Sequence, residues 1–260
     1  MTVPSTASGT RSSGPPDLAG SVVLVTGAGG AIGRSIALAC ADAGADVAVL
    51  DLRGAQDTAA ELATRGRRTW ALEVDVASRA AVHAAVNRVA REAGRLDGLV
   101  TAAGIRGALP APGTGIEAFD EAEIDQVLAV NMKGTLWGIQ AAWPHLRTRG
   151  GSIVAIGSLA GRTGATAAGP HYVASKGGVH ALTKWAAHTG AAFGIRANAI
   201  APGLFETPMA RDLPVVPTPP PIGRTGVSED VAQAALYLIS PQSNFVTGIV
   251  LDLNGGSYAA

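Results

Sequence analysis

The chain has 260 residues, of which 47% are apolar, and its 20 basic and 20 acidic side chains leave no formal net charge. Balanced charge argues against a protein that binds nucleic acid or an anionic membrane through bulk electrostatics. A single cysteine excludes an intramolecular disulfide framework and a cysteine-built zinc site. Because no apolar run reaches the about 18 residues of a membrane span, we expect a cytoplasmic protein with no membrane, nucleic-acid or metal partner.

The N-terminal segment differs in composition from the rest of the chain. Residues 1–17 are mostly Ser, Thr, Gly and Pro, and they lack the apolar stretch of a secretory signal. Such residues cannot bury enough apolar surface to offset the entropy of ordering, so a flexible tail is predicted. No linker divides residues 18–260, which predicts one domain.

Short apolar runs alternate with longer helical patterns along residues 18–260. The runs are apolar without alternation, as in strands that are covered on both faces. Helices are predicted at 34–43, at 78–93 with Ser78 as N-cap, and around 124–148 and 172–189. This order predicts an α/β fold, a Rossmann-type doubly wound parallel sheet of about seven strands with helices on both faces. The predicted strands are 22–26, 46–50, 69–74, 99–102, 152–156, 196–200 and 249–253.

A glycine-rich turn follows the first predicted strand directly and leads into a helix. Glycines permit a tight turn and let backbone N–H groups approach a pyrophosphate at the positive end of the helix. A close-packed crossover without a ligand is the alternative that this turn leaves open. The candidate phosphate-binding residues are Thr26, Gly27, Gly29, Gly30, Ala31, Ile32 and Gly33.

Asp51 ends the second predicted strand, where a carboxylate can accept hydrogen bonds from both hydroxyls of an adenosine ribose. It would also repel the additional phosphate of NADP, so NAD is the predicted cofactor and NADP the less favoured one. Leu52 beside it is uncharged. Arg53 is either a solvated loop charge or a ligand of that phosphate. Asp51 itself has an alternative role as a cap at the strand end.

Tyr172 and Lys176 stand four residues apart on a predicted helix, so their side chains share one face. A lysine cation about 4 Å from a phenol stabilises the phenolate by about 4 kcal/mol at an effective dielectric constant of 20, or about three pKa units. Such a phenol is a candidate general acid/base. Ser158 follows the fifth predicted strand, and ligands of open α/β sheets bind at this end of the strands; the alternative is a turn cap.

Asn131 is a polar residue in an apolar pattern. It continues the helical spacing of Ile124, Val127 and Leu128, which places an amide on a buried stripe. A buried amide needs hydrogen-bond partners. Asn131 is therefore either a structural residue or one that holds backbone and water near the site.

Taken in order, these residues resemble the classical short-chain dehydrogenase/reductase family over about residues 18–258. The resemblance implies NAD(P)-dependent oxidation of an alcohol or reduction of a carbonyl, on a small-molecule substrate. It implies that Tyr172 is the general acid/base and that Ser158 donates a hydrogen bond to the substrate oxygen. It assigns Lys176 to the nicotinamide ribose and to the tyrosine, and Asn131 to a water-linked proton relay.

The resemblance also implies further cofactor contacts and an assembly. Thr207 would contact the nicotinamide carboxamide, while Asp75 and Val76 would flank the adenine. A homotetramer is implied, in which Trp137, Trp143 and Trp185 lie either at subunit interfaces or in the core. The remaining implied cofactor residues are Leu52, Ala102, Ala103, Gly104, Pro202 and Gly203, together with Tyr172 and Lys176.

Several positions depart from the family pattern. Ala31 stands where the family has its second glycine, and the glycines at 27, 30 and 33 have the spacing of the extended subfamily, for whose C-terminal domain this chain has no room. Ala102 replaces an asparagine. Two other functions stay open: a nucleotide-binding regulator or scaffold on the same fold, and an epimerase or dehydratase.

The rim of the substrate pocket departs most from the family. Where a helical lid is usual, residues 213–222 are short and rich in proline, which cannot continue a helix. Residues 105–119 form a longer loop than usual and are rich in Gly and Pro. We predict an open cleft for a bulky, largely apolar substrate, walled by Leu204, Phe205 and Met209, unless the longer loop fills it.

Overall fold

The computed structural model describes residues 14–111, 114–164, 167–213 and 219–259. Its seven strands are β1 (Val22–Thr26), β2 (Asp46–Asp51), β3 (Thr69–Glu73), β4 (Gly98–Thr101), β5 (Gly151–Ile156), β6 (Ile195–Pro202) and β7 (Val250–Leu253). They form one sheet in the order β3-β2-β1-β4-β5-β6-β7, and every neighbouring pair is parallel. The order reverses between β1 and β4, where the carboxyl ends of strands diverge and leave a crevice for a ligand.

Helices cover both faces of this sheet, which confirms the predicted doubly wound α/β fold. One apolar cluster joins the sheet to α1, α2 and α8, and a second joins its other face to α3, α5 and α7. The Ser78 hydroxyl accepts a hydrogen bond from the Ala81 N–H group, so the predicted N-cap is confirmed. The helices are α1 (Ala31–Asp42), α2 (Ala55–Ala63), α3 (Arg79–Ala93), α4 (Glu121–Leu128), α5 (Gly134–Leu146), α6 (Ala160–Thr163), α7 (Pro170–Gly190) and α8 (Ser228–Ile239).

Two helix predictions were wrong in their bounds. Helix α1 begins at Ala31 and not at Arg34, because Gly30 is its extended N-cap and the end of the glycine turn is already helical. The helix predicted over 124–148 is interrupted by a π-helical turn at Ala129–Lys133. This turn carries Asn131, whose side chain bonds to a neighbouring loop, and π turns of this kind are common at functional sites.

The first described residues lie against the C-terminal half of the chain. The Gln242 amide donates a hydrogen bond to the Gly14 carbonyl, and Asp17 accepts one from the Ala19 N–H group. Of the predicted tail 1–17, residues 1–13 lie outside the described residues. In the described part of the chain, no helix combines the length and the apolar character that crossing a bilayer requires.

Candidate active site

A cavity of about 630 Å³ lies at the carboxyl ends of β1 and β4. Its walls come from the glycine turn and from the segments that follow β2, β3, β4 and β6. The structure thus brings together predicted cofactor residues from five separate parts of the sequence. Those on the cavity wall are Gly27, Gly29, Gly30, Ala31, Ile32, Gly33, Asp51, Leu52, Asp75, Val76, Ala102, Ala103, Gly104 and Thr207.

The glycine turn has room for backbone only. Gly27 has a φ of +70°, and a Cβ atom there would overlap the backbone of Ala103. A Cβ on Gly29 would overlap the Arg53 carbonyl oxygen, and one on Gly33 would overlap the Gly27 carbonyl oxygen. At Gly30, in contrast, the nearest atom would be the Gly27 oxygen at 3.4 Å. Three of these glycines are therefore required by close backbone packing.

The N-terminus of α1 lies at this turn without a side-chain cap in the described structure. The first N–H groups of a helix have no intrahelical acceptor. Such groups, with the positive end of the helix dipole, suit a pyrophosphate. The residues present therefore fit a dinucleotide.

Asp51 is a cap at the end of β2, while its role as a ribose ligand stays a prediction. Its Oδ2 atom accepts a hydrogen bond from the Gly29 N–H group at 2.9 Å, and its Oδ1 atom accepts one from the Arg53 N–H group at 3.1 Å. The carboxylate thus closes the turn as a strand-end cap. Each carboxylate oxygen keeps a second lone pair, which leaves acceptors for ribose hydroxyls. Arg53 is exposed and also lines the cavity.

Thr26, Pro202 and Gly203 lie behind the cavity wall. The Thr26 hydroxyl accepts a hydrogen bond from the Ala103 N–H group at 3.4 Å, which ties β1 to the segment after β4. The Pro202 carbonyl accepts one from Leu159, and Gly203 donates one to Leu253. These three residues fix the ends of the strands that carry the site.

Ser158 and Tyr172 meet at the carboxyl end of β5, where the sequence predicted them. The Ser158 hydroxyl accepts a hydrogen bond from the Ala160 N–H group at 3.1 Å and lies close enough to the Tyr172 phenol to act on its pKa. Burial raises the pKa of the Tyr172 phenol above its usual value, while the Ser158 hydroxyl and the positive charge of Arg106 act in the opposite direction. The Tyr172 phenol is therefore protonated at neutral pH in the protein without a bound cofactor.

Lys176 is buried one turn along α7 from Tyr172. Its Nζ atom donates a hydrogen bond to the Ile156 carbonyl at 3.0 Å and lies 5.9 Å from the centroid of the Tyr172 ring. Burial lowers the pKa of Lys176 to about 8. In the described structure the Lys176 ammonium group bonds to a backbone carbonyl, and the charge that acts on the pKa of Tyr172 is that of Arg106. That Lys176 lowers the phenol pKa stays a prediction.

Asn131 is fully buried on the π turn, and its side chain forms three hydrogen bonds. Its Oδ1 atom accepts from the Ile105 N–H group at 2.8 Å, and its Nδ2 atom donates to the Ile105 carbonyl at 2.8 Å and to the Ser175 hydroxyl at 2.9 Å. The amide therefore holds the backbone of the loop after β4 beside the site. Gly104, which directly precedes Ile105, lies close to the side chains of both Asn131 and Lys176.

Two residues at this site were missed by the sequence interpretation. The Nη1 atom of Arg106 donates a hydrogen bond to the Met209 carbonyl at 2.9 Å. His180 is buried behind Gly157, and burial lowers its pKa to about 4. His180 could have been found, since it lies four residues after Lys176 on the same helix. Arg106 is one charge in a Gly- and Pro-rich loop, with no motif to mark it.

The substrate rim is only partly as predicted. Met209 lines the cavity, whereas Leu204 and Phe205 line an adjoining cavity that shares Thr207 and Pro208 with it. Phe205 is mostly buried in the core cluster against Gly226. Ile222 donates a hydrogen bond from its N–H group to the Gly255 carbonyl, which anchors the end of the proline segment. Residues 112–113 and 214–218 of the two rim segments lie outside the described residues.

Comparison with known proteins agrees with this geometry. The family model described as "Enoyl-(Acyl carrier protein) reductase" matches residues 27–258. The chain is 36% identical over 252 residues to 2-(S)-hydroxypropyl-CoM dehydrogenase 3 of Xanthobacter autotrophicus, covering 92% of this chain and 96% of that protein. It is 37% identical over 242 residues to cis-4-hydroxycyclohexanecarboxylate dehydrogenase of Sinomonas cyclohexanicum, covering 90% and 95%. A crystal structure of a short-chain type dehydrogenase/reductase from Mycobacterium marinum superposes with a TM-score of 0.86 at 30% identity, covering 94% and 98%.

A parallel sheet with a glycine turn at a helix N-terminus and a Ser–Tyr–Lys group at its strand ends is typical of nicotinamide-dependent oxidoreductases. The matches show which one: the chain belongs to the short-chain dehydrogenase/reductase family. It is an oxidoreductase of alcohols or ketones that acts on small-molecule substrates.

Proposed function

We propose that the protein transfers hydride between NAD(H) and a bulky, largely apolar substrate, interconverting a secondary alcohol and a ketone. The observation that carries this proposal is that the Ser158 hydroxyl and the Tyr172 phenol lie close together at the carboxyl end of β5, with Lys176 buried one turn away. A ring-bearing substrate is supported by the similarity to a dehydrogenase of hydroxycyclohexanecarboxylate.

Each side chain has a separate task in this proposal. Bound NAD(H) supplies the hydride acceptor or donor. The Tyr172 phenol gives its proton to the ketone oxygen in reduction, and the Tyr172 phenolate takes the hydroxyl proton in oxidation. Ser158 donates a hydrogen bond to the same oxygen and fixes its position. Lys176 is largely protonated at neutral pH, since its pKa is about 8, so its ammonium group can bind the nicotinamide ribose and favour the phenolate. Asn131 holds the backbone of the loop after β4 in place beside the site.

The preference for NAD rests on Asp51. A carboxylate at this position accepts hydrogen bonds from ribose hydroxyls and repels a 2′-phosphate. A basic residue at position 30 or 52 could bind that phosphate, but Gly30 and Leu52 stand there and are uncharged. Arg53 on the cavity wall is the competing cation.

The test is a spectrophotometric screen of the purified protein with NAD(H) and NADP(H) against ring-bearing and small acyclic secondary alcohols and ketones. We expect turnover with NAD(H) and higher kcat/KM for the ring-bearing compounds. Cofactor binding without turnover of any compound would identify a nucleotide-binding regulator or scaffold and contradict the proposal. Higher kcat/KM with NADP(H) would overturn the cofactor assignment alone.

We also propose a homotetramer in which α5 and α7 pair between subunits. Trp185 on α7 is 58% exposed, and its ring centroid lies 5.9 Å from that of Trp143 on α5. An exposed aromatic side chain such as Trp185 is typical of an interface, whereas Trp137 and Trp143 are half-buried and pack against the core. Light scattering at micromolar concentration should give four subunits, and a monomer would refute the assembly.

A further inference from the structure

Arg106 joins the two segments that border the substrate side of the cavity. It belongs to the loop after β4, and its Nη1 atom donates to the Met209 carbonyl in the segment after β6. Met209, Gly104 and Ile105 line the cavity. The guanidinium therefore bridges two segments of the cavity wall, and its charge reaches the Tyr172 phenol.

The backbone on both sides of Arg106 is held by side chains of the α4 region. Asn131 bonds both backbone groups of Ile105, and the Glu123 carboxylate accepts a hydrogen bond from the Ala108 N–H group. Between them, Gly107 has a φ of +80°, and a Cβ atom there would lie 2.6 Å from Glu123 Oε1 and 2.7 Å from His171 Nε2. The arginine is thus presented by a fixed turn.

The charge of Arg106 has no counter-charge within the part of the chain that the structure describes. Its Nε atom is buried there without a hydrogen-bond partner, which is costly for a charged group. Arg162, in contrast, forms two hydrogen bonds of 3.0 Å to Asp252. The positive charge of Arg106 also acts to lower the pKa of the Tyr172 phenol, so Arg106 interacts electrostatically with the proposed acid/base.

We propose that Arg106 binds a carboxylate of the substrate, so that the substrate is a bulky secondary alcohol or ketone carrying one carboxylate group. This inference rests on the proposed oxidoreductase function and specifies its substrate class. A carboxylate supplies both the missing acceptor and the missing negative charge, and its planar geometry matches a guanidinium. A single guanidinium suits a monoanion, since the other cation of this rim, Arg211, is exposed to solvent.

The first experiment measures binding, which does not require turnover. Cyclohexanecarboxylate and cyclohexanecarboxamide are titrated by calorimetry into the enzyme saturated with NADH. The two probes share shape and differ in charge. We expect the carboxylate to bind at least tenfold more tightly, as charge-assisted hydrogen bonds imply, and Arg106→Gln to remove most of that ratio. Arg211→Gln is the matched control: it removes a charge from the exposed side of the same rim and should leave the ratio unchanged.

The second experiment compares kcat/KM for reduction of 4-oxocyclohexanecarboxylate and its carboxamide. Arg106→Gln should lower kcat/KM at least tenfold more for the carboxylate than for the carboxamide, mainly through KM. Equal binding and equal turnover of the two probes by the unmodified enzyme would overturn the inference. An equal loss for both substrates in Arg106→Gln would overturn it too, because Arg106 would then act through Tyr172 or the loop. Carboxylate-selective binding without turnover would contradict the proposed function instead.

Discussion

The cofactor end of the site, formed by residues 27–33 and Asp51 on the cavity wall, is built from backbone. The catalytic end, formed by Ser158, Tyr172, Lys176 and His180 around the carboxyl end of β5, is built from side chains that are largely buried. At the cofactor end, close contacts between main-chain segments leave no space for a Cβ atom at three glycines. At the catalytic end, burial displaces the pKa values of Tyr172, Lys176 and His180. The first end should therefore be sensitive to added volume, and the second to charge and pH.

The largest effect is expected at the catalytic end, on substitution of the phenol. Tyr172→Phe removes the hydroxyl that moves the proton, and loss of acid–base catalysis costs about 10²–10⁴ in rate. We expect kcat to fall by that factor while the Kd for NADH stays within about threefold, measured by steady-state kinetics and fluorescence titration. Tyr237→Phe, on an exposed tyrosine, is the control and should change neither. Retention of more than a few per cent of kcat would show that Tyr172 is not the acid/base.

The pH dependence of stability should also come from the catalytic end. His180 has an ordinary pKa of 6.5, which burial lowers to about 4, so the unfolded chain binds a proton between these values and the folded protein does not. The free energy of unfolding therefore has its full value above pH 6.5 and decreases as the pH drops to 4. At 1.36 kcal/mol per pKa unit, this decrease is about 3 kcal/mol. In His180→Leu, the free energy of unfolding measured with urea should lack this decrease between pH 7 and pH 4.5. His188→Leu, on the exposed face of the same helix, should retain it; identical pH dependence in both variants would refute the role of His180.

The cofactor end is tested by adding one methyl group. Gly29→Ala places a Cβ against the Arg53 carbonyl and beside the Asp51 carboxylate, and overpacking of this kind costs about 2 kcal/mol. Urea unfolding without cofactor should show this loss, accompanied by weaker NADH binding. Gly30→Ala is the matched control, because its nearest neighbour would be 3.4 Å away, and its free energy of unfolding should change by less than about 1 kcal/mol. Equal destabilisation by both variants would contradict the contrast drawn between these glycines.

The smallest effect concerns cofactor choice. Asp51→Asn keeps the size of the side chain and removes the charge that repels the 2′-phosphate, an effect of about tenfold for charges near a protein surface. The ratio of kcat/KM for NADP to that for NAD should rise by about that factor. Asp57→Asn, on an exposed residue of α2, should leave the ratio unaltered. A ratio unchanged in Asp51→Asn would mean that Arg53 or the backbone sets the preference.

The contrast between the two ends of the site also explains which features could be predicted from the sequence. The sheet and the glycine turn follow from local signals: apolar runs such as residues 22–26 and glycines at fixed spacing. The bounds of α1 were misplaced by three residues, because the last part of a glycine turn and the first turn of a helix look alike in sequence. The π turn at Ala129–Lys133 had no local signal, since it depends on the bonds between Asn131 and Ile105.

Long-range contacts also account for what was missed at the catalytic end. The helical spacing of Tyr172 and Lys176 predicted a shared face, but the direction of the ammonium group depends on the Ile156 carbonyl of another element. Arg106 gains its position from Met209, more than one hundred residues away in the chain. The spacing of residues within one helix is readable in a sequence, whereas contacts of this range are not.

The central claim, that this site transfers hydride with Tyr172 as the proton donor, is tested most directly by a single-turnover measurement. Enzyme saturated with NADH is mixed with excess 4-oxocyclohexanecarboxylate, and NADH absorbance is followed in the unmodified protein and in Tyr172→Phe. We expect each active site of the unmodified protein to oxidise its NADH, and the variant to do so more slowly by a factor of about 10²–10⁴. NADH that stays bound and unoxidised in the unmodified protein, or is oxidised equally fast in the variant, would contradict it.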